Sequence, residues 1–382
     1  LLYITLGKKM IYLDHHSATK PSLSSIERML VFFKTDWADP LASHFMGQQV
    51  ALSIRKNTKR FADLLGLNPQ DRVFCFQSRL EALSHLAFSH YRNTVYQTGR
   101  NQILTTNIED IGSLEIWREL EDVGCICRQI EVNKQGQITQ EMLDKAILPK
   151  VSILSLCWAS PMTGVIHPLA DLAELCKERG ILLHVDASSL MGKAHFCLRD
   201  LPIDFLTLEG SLIHAPQGTS VMIVKEHTLF SCPQQQMPAS LACLVAALEE
   251  SIALFESICL ETARLRDEFE QKISLQINDA KVLFTDVERL PNCSVIAFPN
   301  IHAEALLYLL NRKGVFASIG SGQYQLLSQI LIKCHIAPEL AYTAISFSLS
   351  YETTEEQIEA AICIIVDCVR QLKKMTLLGD VL

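Results

Sequence analysis

The sequence predicts an α/β fold, with a large domain on a mostly parallel sheet followed by a smaller α/β domain, and three observations carry that prediction. From about residue 60 onward, apolar strand-like runs alternate with amphipathic helical ones, the pattern of strands joined by crossover helices. The strand-like runs are short and apolar throughout, as strands covered on both faces must be. A chain of 382 residues, 49% hydrophobic and with a mean hydropathy of +0.19, has enough apolar material for a substantial buried core.

The elements follow in order. Residues 10–24, around Asp14, read as a strand and turn packed near the smaller domain. The large domain spans residues 25–255, with strands expected at Val73–Phe76, Gln102–Thr106, Val151–Trp158, Ile181–Val185, Asp204–Leu208 and Ser220–Val224. A helix over Pro168–Arg179 carries proline in its first turn and Gly180 past its end, the usual punctuation of a helix. A single long helical pattern, Leu241–Ile273, then leads into the smaller domain, residues 256–376. There the pattern reads strand (Ser294–Phe298), helix (Ala303–Arg312), strand (Ala344–Leu349), helix (Thr354–Lys374). No repeat or long linker separates the two parts, so they are expected to share an interface.

Composition excludes several functions. Lys and Arg total 34 against 42 Asp and Glu, a net charge of −8, and no basic run stands out, which argues against a nucleic-acid surface. No stretch reaches the roughly 18 apolar residues of a membrane span, and Met10 reads as the natural start. The 13 cysteines, among them Cys157, Cys243, Cys259, Cys363 and Cys368, sit in apolar stretches and read as small buried hydrophobes of a reducing, cytoplasmic compartment. Cys125 and Cys127 form a C-x-C without the second half of a zinc site, so core packing is the better reading and no metal is expected.

A series of motifs runs in order through nearly the whole chain: IYLDHHSATKP (Ile11–Pro21), DPLASHFMG (Asp39–Gly47), FQSRLEA (Phe76–Ala82), TTNIED (Thr105–Asp110), MTGVIHPL (Met162–Leu169), HVDASSLMGK (His184–Lys193), EGSLIHAPQG (Glu209–Gly218), GVFASIGSG (Gly314–Gly322) and SFSLSYETTEEQI (Ser346–Ile358). Together they resemble the cysteine desulfurases, in the class V aminotransferase group of fold-type I pyridoxal-phosphate enzymes. The resemblance implies a seven-stranded sheet in the large domain, a homodimer, pyridoxal phosphate as cofactor, and removal of sulfur from cysteine as a persulfide on a mobile cysteine. Protein partners in sulfur transfer or iron–sulfur assembly come with it.

Pyridoxal chemistry needs a lysine amine to hold the cofactor as a Schiff base. The resemblance places that lysine at Leu212, beside Glu209 and Ser211, and no lysine lies between Lys193 and Lys225. Both of those lysines match basic positions of ordinary members and read as structural. The Gly-Ala-Thr-like phosphate turn at a helix N-terminus corresponds to Arg79-Leu80-Glu81, where Arg79 either meets a phosphate or, the favoured reading, pairs with Glu81. The ring-stacking histidine corresponds to Asp110, the asparagine facing the ring hydroxyl to Pro161, and a glutamine to Ser189. Asp186 matches the carboxylate that keeps the pyridine nitrogen protonated, with capping of the next helix as its alternative job.

The sulfur-accepting cysteine corresponds to Gln323, which forms no thiolate. Cys334 falls on an apolar position and reads as core. The arginine that clamps the substrate carboxylate corresponds to Ser346, and only Pro233–Ala239 stands where a glycine-rich segment reaches the partner's phosphate. Framework residues such as Asp14, Pro40, His44, Gly47, Gly164, Gly192 and Pro216 still match. The sequence therefore predicts an inactive relative with a binding or scaffold role that takes up no cofactor. Two alternatives stand beside it: residual pyridoxal-dependent activity, and an acidic site formed by Glu81, Asp110, Asp186 and Glu209.

Overall fold

The structure is a computed structural model that describes residues 10–195, 198–199, 201–232, 237–322 and 324–379. A short strand, β1 (Ile11–Tyr12), is followed by helices α1 (Leu23–Lys34) and α2 (Phe45–Leu65). Then come β2 (Arg72–Phe76), helix α3 (Arg79–His90), β3 (Gln102–Thr106), β4 (Ile126–Ile130), β5 (Val151–Cys157), β6 (Leu182–Asp186), β7 (Phe205–Glu209) and β8 (Ser220–Val224). These last seven strands form one sheet in the order β2-β8-β7-β6-β5-β3-β4. Pairs among β3 to β7 are parallel, while β8 runs antiparallel to both β7 and β2. The expected α/β class with a mostly parallel seven-stranded sheet is what the chain adopts.

Sequence explains the sheet's centre. β5 is VSILSLC and buried along its whole length, with β6 and β3 beside it. Between β5 and β6 the helix Leu169–Glu178 lays Leu169, Leu172, Ala173, Leu175 and Cys176 on the sheet, the apolar stripe of a period near 3.6. The expected boundaries differ from the observed ones by a residue or two, within the fraying of element ends, except that the last helix, expected over Thr354–Lys374, runs Glu355–Gly379.

Three expectations need correction. The pattern Leu241–Ile273 is two helices, Pro238–Ala253 and Phe255–Gln276, because Leu254 leaves helical geometry at φ −101°, ψ 4°. No glycine or proline marks that break, and the apolar pattern runs through it. Strand β4 was not expected: it is the sheet's edge, with Arg128 and Gln129 partly exposed, so its residues lack the apolar run of a buried strand. Cys363 is exposed and Cys259 only partly buried, since both lie on outer helix faces, whereas Cys157, Cys243 and Cys368 are buried. Among the described residues every cysteine is free.

The C-terminal part forms a three-stranded antiparallel sheet, β9 (Lys281–Leu283), β10 (Cys293–Ala297) and β12 (Ala344–Ser348), while β11 (Val315–Phe316) pairs in parallel with β1. Leu13 belongs to the same buried cluster as Phe269, Phe298, Phe347 and Ile362, so the N-terminal segment is packed into this second core. The backbone of Leu13 also accepts from the Ser348 N–H at 2.8 Å. Among the described residues no helix is long and apolar enough to cross a membrane.

Candidate functional site

In open α/β sheets, ligand sites gather beyond the carboxyl ends of the parallel strands. Here β3, β5, β6 and β7 deliver at that edge the Asn107–Asp110 turn, Cys157, Asp186 and Glu209, and α3 points its N-terminus at the same place. One small cavity is lined by Arg79, Asp110, Pro161, Asp186, Ser189 and Leu212, with Tyr324 closing it from the C-terminal part. Its volume is about 10 Å³, room for one water. Small-molecule pockets run from about 300 Å³ upward.

Arg79 fills the space. Its Nη1 lies 2.8 Å from Asp110 Oδ2 and 3.3 Å from Asp186 Oδ2. The three side chains are 7%, 6% and 17% exposed, so this is a buried ion cluster. Burial alone favours a neutral guanidine, yet the two carboxylates hold Arg79 charged, with its pKa above the usual arginine value. The expected Arg79–Glu81 pair is thus corrected: the arginine turns inward to two carboxylates, where desolvation strengthens the attraction.

Each of those carboxylates also holds backbone. Asp110 caps the helix Ile111–Glu119, accepting from the Ser113 N–H at 2.9 Å and the Ser113 hydroxyl at 2.6 Å. Asp186 accepts from the Ser188 N–H at 2.9 Å, so it stabilises the turn after β6. For Asp186 this is a turn contact and not the expected helix cap, since among the described residues no helix begins between β6 and β7.

The N-terminus of α3 is likewise occupied from within. Four leading N–H groups of a helix lack intrahelical partners and attract anions. Here Glu209 Oε2 accepts from the Arg79 N–H at 2.9 Å, Glu81 Oε2 from the Gln77 N–H at 2.7 Å, and Ser78 Oγ from the Glu81 N–H at 3.1 Å. Ser78-Arg-Leu-Glu81 is a variant of the capping box, a signal legible in the sequence. Burial pushes Glu209 up to about 7, offset in part by the Arg79 N–H and charge. Gly210 lets β7 end against β8, since a Cβ there would collide with Thr219 and Leu244.

Three site residues escaped the sequence reading. Glu109 is 4% exposed. It accepts from the Thr106 hydroxyl at 2.6 Å and from the Cys157 N–H at 2.9 Å, and burial pushes it up to about 8. Its position beside Asp110 was visible, but its inward direction was not. Cys157 ends β5. Tyr324 donates to the His16 carbonyl at 3.1 Å. Its neighbour Gln325 donates to the carbonyls of Asn107 and Glu109 at 3.0 and 2.6 Å, which fastens this loop to the site.

Leu212 is 4% exposed, in a 3-10 turn directly after β7. Lys193 Nζ donates to the Leu212 carbonyl at 3.2 Å and to the Ser189 carbonyl at 3.1 Å, and burial lowers its pKa to about 8. Lys225 is tied to Asp71 at 2.8 Å. Ser211 accepts through its carbonyl from Thr19, and Ser346 donates to the Met162 carbonyl at 2.7 Å. Cys334 is 1% exposed and burial raises its thiol to about 12, so it supplies no thiolate at neutral pH. Gln323 and Pro233–Gln236 lie outside the described residues. Among the described residues, no three His, Cys, Asp or Glu side chains are grouped to hold a metal ion.

A seven-stranded α/β fold with its site at the carboxyl edge of β3, β5, β6 and β7 is the architecture of the pyridoxal-phosphate transferases. Solved structures share it: a NifS-like protein aligns at a TM-score of 0.87 and 22% identity, over 95% of this chain and 100% of that one. The apo cysteine desulfurase of Thermococcus onnurineus NA1 aligns at 0.79 and 16%, over 95% of each chain. The aminotransferase class-V model matches residues 11–243. In sequence, the chain is 29% identical to the cysteine desulfurase NifS of Azotobacter vinelandii, over 96% of this chain and 94% of that protein. It is 30% identical to a cysteine desulfurase of Bradyrhizobium diazoefficiens, over 95% of each. The chain belongs to the aminotransferase class-V family, as a member of its cysteine desulfurase group.

Proposed function

We propose that this chain is a non-catalytic member of that group, cytoplasmic and dimeric, kept for a binding or scaffold role beside sulfur transfer or iron–sulfur assembly. One observation carries the reading: the place for the cofactor is filled by the chain's own groups. Arg79 lies between Asp110 and Asp186, and the carboxylates of Glu209 and Glu81 satisfy N–H groups at the start of α3. Pyridoxal phosphate does not fit this set of residues. Its ring would need the volume Arg79 takes, its phosphate would meet Glu209 and Glu81, and Leu212 offers no amine. Gln323 in place of the sulfur-accepting cysteine removes a second, separate step.

Protein purified with pyridoxal phosphate in the medium is expected to show no visible absorption band, and to release no sulfide from cysteine. A visible absorption band fixed by borohydride onto Lys193 would overturn the reading. Sulfide release abolished by Cys334→Ser would show the nucleophile had been misplaced.

A second copy of the chain is the partner we infer for the exposed apolar residues of α1, the start of α2 and the segment between them. Leu23, Phe33, Trp37, Leu41 and Phe45 are 78%, 66%, 67%, 80% and 73% exposed within one short stretch. So many large apolar side chains left in water within 23 residues of chain favour burial against a partner, and dimer interfaces of this kind bury on the order of 2,000 Å². Light scattering at micromolar concentration is expected to give twice the chain mass, and Trp37→Asp together with Phe33→Asp to give monomer. A wild-type monomer would overturn this.

A further inference from the structure

We propose that Arg79 is a built-in occupant, which does for this fold what a bound organic cation would do, and that Asp110, Asp186 and Glu209 form a cup for a planar guanidinium-type cation once that side chain is removed. The inference deepens the reading of a cofactor-free site and rests on it.

The geometry is that of a receptor with its ligand tethered. A planar delocalised cation lies against two carboxylates contributed by separate elements, the start of the helix Ile111–Glu119 and the end of β6. One nitrogen, Nη1, reaches both carboxylates and lies 3.4 Å from the Ser113 hydroxyl, and charge-assisted bonds of this kind are the strong ones. Both carboxylates already have other fixed partners, Ser113 and Ser188, so the cup keeps its shape without the arginine. Glu209 adds a third carboxyl group, bonded to the Arg79 backbone N–H rather than to its side chain. That bond survives substitution of the side chain. A cavity of about 10 Å³ beside the guanidinium shows how closely the occupant fills its place.

Removing the guanidinium leaves acidic groups without their cation. The other titratable groups around it are Glu109, Cys157, Glu209, His184 and Tyr324. Burial holds His184 neutral, with its pKa lowered to about 3, so no second cation takes over from Arg79. The carboxyl groups are then left to bind protons or an added cation.

The experiment is chemical rescue read by thermal unfolding. Arg79→Ala is expected to melt well below wild type, and millimolar methylguanidinium is expected to restore a large part of the loss, saturably. Sodium, tetramethylammonium and urea at the same concentration are expected to restore none. Wild type, whose cup is full, is expected not to respond. Adding Asp186→Asn to Arg79→Ala is expected to abolish the rescue. Failure of methylguanidinium to exceed tetramethylammonium would overturn the proposal.

Should Arg79→Ala not fold, Arg79→Gln keeps bulk and N–H donors while losing the charge. It is expected to melt below wild type, and adding Asp186→Asn is expected to recover part of that loss, because one carboxylate left without its cation is then removed. A double variant no more stable than Arg79→Gln alone would overturn the proposal equally. A cofactor band in wild-type protein would instead sink the cofactor-free reading, and it is measured without any variant, so the two failures are distinguishable.

Discussion

Leu212→Lys, purified with pyridoxal phosphate in the medium, is expected to stay colourless and to melt below wild type. Restoring the amine restores one bond out of many. The new ammonium would enter a site where Leu212 is 4% exposed and Arg79 lines the same small cavity. Two like charges about 5 Å apart repel by roughly 3 kcal/mol at an effective dielectric of ~20. The lysine therefore either gives up its proton or forces the site open, and a stability loss of about 2–4 kcal/mol is expected. The phosphate fares no better, because Glu209 and Glu81 already hold N–H groups at the start of α3. Titration with cofactor, borohydride reduction and mass analysis check the expectation. Stoichiometric cofactor fixed at position 212 at micromolar concentration would show that the cup still accepts phosphate.

Much of this was legible in the sequence for a physical reason. Buried strands such as β3, β5 and β8 must be apolar, so their positions stand out; edge strand β4 faces solvent and does not. Residues assigned from the motifs, among them Asp110, Pro161, Asp186, Ser189 and Leu212, line one cavity because the fold fixes the carboxyl edge of its sheet. What the sequence hid was direction. Arg79 stands next to Glu81 along the chain, and proximity in sequence favoured that pair; in the fold, the start of α3 turns the arginine inward to carboxylates 31 and 107 residues away. Tyr324 and Gln325 gave no motif at all, since their role depends on a loop docking against the Asn107–Glu109 turn.

Glu109→Gln is expected to flatten the dependence of stability on pH. Burial carries the Glu109 carboxyl from its ordinary value of 4.5 up to about 8, so the folded state holds a proton that the unfolded chain releases. A raised folded-state value means that the contribution is complete below about pH 4.5 and is lost as pH rises through about 8. Each pH unit in that window is worth roughly 1.4 kcal/mol for a single group. Glu109 therefore subtracts from wild-type stability across this window, and Glu209, raised to about 7, does so over its lower part. Glutamine copies the protonated acid: its carbonyl accepts from the Cys157 N–H and its amide donates to the Thr106 hydroxyl, in the places of the two Glu109 oxygens. The variant should therefore match wild type within a few tenths of a kcal/mol near pH 5 and exceed it by about 2–4 kcal/mol near pH 8. Denaturant melts at half-unit pH intervals read the difference directly. Parallel profiles for the two proteins would mean that Glu109 is ionised in the folded state, with a counter-charge at the carboxyl edge of the sheet.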